Sequence, residues 1–511
     1  MTNLKQLVFK FLLLIPILVC LNFVYKKYFF ENDIQTHSPI LNIVRDAVNS
    51  KSEIVYVGES SNFTFRRDDF DKRSISDFVS DYYPSKKMGA IIKEASHAGI
   101  YYQLLRNIPE NSTVKTVIVT MNLRSFDAGW IYSNLETPLQ KSLVLIKDNP
   151  PLFNRFLLAF KAYDIKSDSE REQQFRNAWK KDILKFPYPF KYNNVIDWDY
   201  GMAQQKVRNA NGTINQPLTE LACHYIKTYA FQIDTLNNPR IKDFDKIVAL
   251  AKQRNWHLVF NLMAENIEMA DSLVGKEIPF FMRQNTELLM KRYNKNNVNV
   301  VNNLEDVLSE EFIDQNWTTE HYAEKGRRII AKNVAECLKK IYPNDYKTPP
   351  EALVKLGGTN DKNISVSNEF SNDCEGQTVW GQMQTLSSDK AHSGSKSSRT
   401  GQKNDYSVTW EYPIKNISDS IKKVNVSFQL FQNDFTDKAN LAMEISGNSF
   451  ERQWNGKLIK DLSQATNSWS EINYTFPLPD NFHKAELIKV YVVNPSNTLI
   501  YIDDIKIKLQ K

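Results

Sequence analysis

Cysteine is scarce in this chain, and the four it has, Cys20, Cys223, Cys337 and Cys374, lie far apart. They form neither a CxxC pair nor a dense framework, which argues against a zinc site and against a disulfide-stapled scaffold. Long blocks of one charge are also missing. The 65 basic and 59 acidic residues leave a net charge of +6 without a dense basic stripe, so nucleic acid is not an expected partner. Nor is this the composition of a disordered chain, since 42% of its residues are hydrophobic and 24% are charged. With 511 residues it exceeds one ordinary domain, and two globular domains with accessory segments are expected.

The N-terminus lacks a small-residue cleavage site. Lys5 and Lys10 precede an apolar run from Phe11 to Tyr25, Leu7, Val8 and Phe9 extend it, and Lys26 and Lys27 close it. Residues 1–30 therefore read as an uncleaved signal anchor that crosses the membrane once and leaves the bulk of the chain outside the cytoplasm, with a buried helix as the alternative.

From about residue 40 to 345, apolar strand-like segments alternate with helix-like ones. The strands are expected at Ile54 to Val57, Val114 to Met121, His257 to Leu262 and Val298 to Val301. Helices are expected at Lys86 to Arg106, Asp243 to Arg254, Pro279 to Tyr293 and Thr319 to Ile341. Such alternation predicts an α/β fold, a flavodoxin-like three-layer sandwich with a parallel sheet. Between about 126 and 218 no clean strand is found, which predicts a helical insertion.

Three polar groups fall at predicted strand ends or helix starts. Ser60 follows the strand that stops at Gly58, where a hydroxyl reaches the carboxyl edge of a parallel sheet; alternatively Ser60 and Ser61 cap the next helix. Asn122 follows the strand ending at Met121, where a side-chain amide is able to face a developing oxyanion or to bond its own backbone. His321 is expected in the first turn of a helix capped by Thr318 or Thr319, as a general base toward a serine or as an ordinary surface histidine. Gly99, in Ser96-His97-Ala98-Gly99, offers a backbone N–H close approach.

Taken together, Gly58-Glu59-Ser60, Gly99, Asn122 and His321 resemble the SGNH, or GDSL-like, hydrolase superfamily over about residues 45 to 345. The sequence also looks like members that act in O-acylation of extracellular polymers, such as the D-alanyl transfer protein of teichoic acids and the alginate O-acetylation proteins. The resemblance implies Ser60 as nucleophile, His321 as general base, and the N–H groups of Ser60, Gly99 and Asn122 as an oxyanion hole. It implies an esterase or O-acyltransferase that works on acylated glycan, without a catalytic cofactor and with a membrane-bound acyl-donor protein as a further partner. This chain departs from the family pattern at three positions: Glu59 replaces an aspartate, Thr120 a glycine, and Thr318 the aspartate three residues before the histidine. Either Ser60 and His321 act as a dyad, or Asp314 or Glu320 orients the imidazole, or catalysis has been lost and the protein is a glycan-binding scaffold.

Pro343, Pro349, Pro350, Gly357 and Gly358 mark a linker, placed at 346–364. From 365 to 511 short strands predict an antiparallel β-sandwich, with alternation clearest at Val424 to Leu430 and Tyr501 to Leu509. Asn368-Glu369-Phe370, Ala391 to Ser398 and Tyr501 to Ile505 are similar to the ends of jelly-roll carbohydrate-binding modules. That likeness implies a structural calcium on Glu369 with Asp503 or Asp504, the alternative being solvated carboxylates. Trp380, Trp410, Trp454 and Trp469 are expected mostly in the core.

Overall fold

The computed structural model describes residues 2–66, 69, 71–182, 184–295, 297–349, 368–375, 380–382, 385–402, 404–447 and 450–511. Most of the expected linker therefore lies outside the described residues. The chain divides into two compact units, one of Met1–Thr64 with Ser74–Pro349, the other of Phe65–Arg73 with Pro350–Lys511.

The first unit holds strands β1 (Ile54–Gly58), β2 (Met88–Ile92), β3 (Thr116–Met121), β4 (His257–Leu262) and β5 (Val298–Asn302). They pair in parallel in the order β2-β1-β3-β4-β5, with Ile54 opposite both Met88 and Thr116. Alternation along β1 sends its side chains into two cores. Val55 and Val57 pack with Ile100 and Leu104 on one face, while Ile54 and Tyr56 pack with Phe78, Val79 and Ile330 on the other. A sheet buried on both faces is what makes the α/β sandwich three-layered.

Two elements differ from expectation. Residues 88–92 form an edge strand where a helix from Lys86 is expected, and the helix begins only at Ala98. The reason is local: Gly89 allows close approach to Ser52, whose Oγ would lie 2.4 Å from an added Cβ, and a half-exposed edge strand needs no clear alternation. The closing helix spans Glu324–Leu338 and starts after Ala323, so His321 lies in the irregular loop before it. That loop is fixed by the Phe312–Tyr322 bridge and by Ile313 N–H donating to the His321 carbonyl at 2.9 Å. The insertion after β3 is helical, with its main pieces at Glu136–Leu143, Pro151–Ala159, Asp168–Lys181 and Val195–Gln205.

The expected membrane anchor is overturned. Among the described residues no helix is long and apolar enough to cross a membrane. Helix α1 (Thr2–Tyr28) contains Pro16, and its longest stretch free of charged and amide residues runs only from Phe11 to Leu21. At 1.5 Å per residue that covers roughly 17 Å of a hydrocarbon core about 30 Å thick. Its carboxyl end belongs to the fold: Asn22 Oδ1 accepts from Leu152 N–H at 2.9 Å, and the buried Tyr25 donates to Asp33 at 2.7 Å.

The second unit is an antiparallel sandwich. One sheet runs β13 (Trp469–Pro477), β10 (Lys423–Gln432), β15 (Ile500–Gln510), β8 (Ser397–Thr400) and β7 (Leu386–Ser387), with β6 (Glu369–Asn372) also on β15. The other runs β12 (Phe450–Leu458), β11 (Asn440–Gly447), β14 (Leu487–Val493) and β9 (Trp410–Pro413). Val424, Val426 and Leu430 pair with Leu509, Ile507 and Ile502 on the neighbouring strand of the same sheet, and together with Phe428 they line one core. Trp380 and Trp410 join that core as expected, whereas Trp454 is exposed.

Candidate functional site

Because the sheet is all parallel, the loops after β1, β3 and β5 emerge at one edge. Gly58 ends β1, and Ser60 opens a short turn, Ser60–Asn62, in which Glu59 accepts the Ser61 N–H at 3.2 Å. A Cβ on Gly58 would lie 2.6 Å from Thr120 Oγ1, so this glycine makes room for that threonine.

Ser60 Oγ lies 2.9 Å from His321 Nε2, and His321 Nδ1 lies 2.7 Å from Asp314 Oδ2. A carboxylate only accepts, so Nδ1 carries the proton and Nε2 is left to accept from the serine hydroxyl. Thr319 Oγ1 donates to the same Asp314 oxygen. Of the two carboxylates considered for orienting the imidazole, it is therefore Asp314 that touches it. Glu320 instead points inward, fully buried, into an ion pair with Arg124 at 2.5 Å. Thr318 offers its carbonyl to Arg124 at 3.2 Å.

Glu59 shapes the other side of the serine. Its carboxylate accepts from Ser60 Oγ at 2.7 Å and from Asn122 Nδ2 at 3.1 Å. Burial pushes this carboxyl up, but the Arg124 charge and the donors on Ser61, Ser60 and Asn122 outweigh it and hold the group below its ordinary value. Glu59 is thus ionised at neutral pH, and Ser60 has two acceptors for one proton. Asn122 commits one amide N–H to Glu59 and has a second for an oxyanion. The N–H of Gly99 already donates to His97 Nδ1 at 3.1 Å, so among the three expected oxyanion donors it is the one the geometry does not bring forward.

Beneath these residues lies a buried polar cluster of which sequence reasoning named only Glu320, and in another role. It contains Arg124, Glu320, Glu265 and Tyr229, whose hydroxyl donates to Glu265 at 2.5 Å. The only signal in the sequence is that a glutamate directly precedes both Ser60 and His321.

In the second unit the carboxylates expected around calcium serve other partners. Glu369 is ion-paired with Lys508, its register partner on β15, four residues past Asp504 and so about 13 Å along the strand. Asp503 is buried and accepts the His392 and Ser393 N–H groups at 2.8 and 3.2 Å. Asp504 accepts from His392 Nδ1 at 2.6 Å and Ser393 Oγ at 2.7 Å. Both hold the 391–394 loop, and Asp504 takes a positive φ of 49° where the strand phase shifts. Among the described residues no group of three His, Cys, Asp or Glu side chains stands ready for a metal. Beside this loop is an open cleft of about 550 Å³, lined by Asp373, His392, Ser427, Gln429, Glu471 and Lys506.

No family model and no curated protein matches the chain. Among solved structures, its C-terminal region resembles the CBM22-1 xylan-binding domain of Xyn10C from Paenibacillus barcinonensis, at 13% identity over 28% of this chain and 94% of that one, with a TM-score of 0.21. The CBM22-2 domain of the same protein gives 14% identity, 28% and 99% coverage, and a TM-score of 0.22. The C-terminal family 22 carbohydrate-binding module of Clostridium thermocellum Xyn10B gives 14% identity, 28% and 87% coverage, and a TM-score of 0.20. Scores of this size describe a partial overlap and carry no argument about a ligand.

Proposed function

We propose that this protein is a serine esterase or O-acyltransferase acting on acylated glycan through a Ser60 acyl-enzyme. The observation that carries the proposal is the unbroken chain Ser60 Oγ, His321 Nε2, His321 Nδ1, Asp314 Oδ2, with contacts of 2.9 and 2.7 Å. In the reaction His321 takes the Ser60 proton, Ser60 Oγ bonds to the ester carbonyl carbon, and the carbonyl electron pair moves onto oxygen. The Ser60 N–H and the free Asn122 amide N–H are the donors offered to that oxyanion. His321 then returns the proton to the departing alcohol. Water as the second acceptor gives hydrolysis, and a sugar hydroxyl gives transfer.

A fluorophosphonate probe tests the serine chemistry. Intact mass spectrometry of the wild-type protein is expected to show one adduct, absent in Ser60→Ala and His321→Ala. A folded wild-type protein that takes no adduct would remove the esterase.

The second reading is a catalytically silent glycan-binding protein, and the cleft on the second unit favours it. Ser427, Gln429, Glu471 and Lys506 present both donors and acceptors on one sheet face, the mixture that sugar hydroxyls require. In native gels containing acetylated xylan, the wild type is expected to be retarded and Glu471→Ala/Lys506→Ala to run freely. Unretarded wild-type protein would exclude this cleft as a binder of that polymer. Retardation without an adduct on Ser60 selects the binding protein, and retardation with one joins the two readings.

A further inference from the structure

Arg124 connects three strand-end loops that the chain delivers separately. It sits in the short turn Leu123–Phe126 after β3, two residues beyond Asn122, and is buried. One guanidinium nitrogen is ion-paired with Glu320, which directly precedes His321. Another donates to the carbonyl of Thr318 in the same loop. The charge also acts on Glu59, which directly precedes Ser60, and the guanidinium lies over the Trp130 ring at 4.6 Å. A buried cation held by a carboxylate, a carbonyl and an aromatic face has little freedom to move.

We propose that Arg124 is a positioning residue, a buried cationic tie that fixes the Thr318–His321 loop against the turn after β3, which Asn122 in turn joins to Glu59 at 3.1 Å, so that His321 Nε2 faces the serine hydroxyl. The proposal rests on the esterase reading above for its catalytic consequence. Arginine suits the task because its planar fork reaches Glu320 and the Thr318 carbonyl together, whereas a lysine supplies a single point of charge. The neighbouring groups agree with this arrangement. Burial raises both Glu265 and Glu320 above the ordinary carboxyl range, which lowers the negative charge the guanidinium has to balance. Displacing the histidine loop by about 1 Å is enough to lower a rate on the order of 10²-fold.

The test uses full-length protein carrying ¹⁵N-histidine, with Arg124→Lys and Glu320→Gln. The first variant keeps the charge and loses the fork. The second keeps the side-chain shape and removes the ion pair without stranding a buried carboxylate. Two readouts are taken: the rate of fluorophosphonate labelling at Ser60, and the Nδ1–H resonance of His321, identified by its absence in His321→Asn. In both variants labelling is expected to slow by about 10- to 100-fold and the resonance to shift or vanish. Folded variants that label at the wild-type rate with an unchanged resonance overturn the proposal. If one variant does not fold, the other decides by the same readouts; failure of both to fold assigns Arg124 a purely structural role and overturns it as well. A wild type that never labels, yet whose His321 resonance moves in Arg124→Lys, defeats the esterase reading and keeps the tie.

Discussion

Asp314→Asn is expected to lower the turnover of p-nitrophenyl acetate by about 10⁴-fold while leaving the protein folded. The carboxylate accepts from His321 Nδ1 and from the Thr319 hydroxyl, and it is partly exposed, so its removal opens no cavity in the core. An asparagine that turns its NH₂ toward Nδ1 forces the proton onto Nε2. That nitrogen would then present a hydrogen to Ser60 and be unable to take one. A loss of less than about tenfold would mean instead that Ser60 and His321 work as a dyad. Steady-state kinetics with unfolding curves for both proteins distinguish the cases.

Glu411→Gln is expected to destabilise the second unit by about 3 kcal/mol, measured by denaturant unfolding. Glu411 is ion-paired with Lys72 and with Lys489 at 3.1 Å, and the Lys72 side chain is only 4% exposed. Removing the carboxylate strands that ammonium in a place water does not reach. The pH dependence has a definite sign. Burial pushes the Glu411 carboxyl up, but Lys72 and Lys489 overcome this and hold it below its ordinary value of 4.5. A depressed carboxyl contributes stability above its unfolded value and loses it as the pH falls through the folded one. The gap between wild type and variant is therefore expected to be full at pH 7 and to close as the solution is acidified. A gap of constant size would show that the pair contributes through packing and not through charge.

Much of the α/β unit was legible because buried parallel strands are continuous apolar runs. Ile54 to Val57 and Val117 to Met121 announce themselves, and Ser60 and Asn122 follow by position. β2 was not legible, since an edge strand with Gly89 and Ala90 has neither a continuous run nor a period. Asp314 and Glu320 were indistinguishable in sequence because both flank His321 in an irregular loop. Which of them turns outward is decided by Arg124, a partner almost 200 residues earlier, 194 positions from Thr318. The apolar N-terminus misled for a related reason: hydropathy reads composition, while Asn22 and Tyr25 are spent on contacts within the fold.

The second unit is assembled from two stretches of chain that leave the ribosome at different times. Its segment Phe65–Arg73 leaves the ribosome long before the rest of that unit, and Lys72 precedes Glu411 by 339 residues. During synthesis at about 5–20 residues per second, the segment waits for tens of seconds without its native partners while the intervening chain is made. A fragment beginning near residue 365 is then a sandwich missing a piece, and a fragment ending near 345 carries nine residues with nowhere to dock. No single cut along the chain therefore separates the two units and leaves both whole.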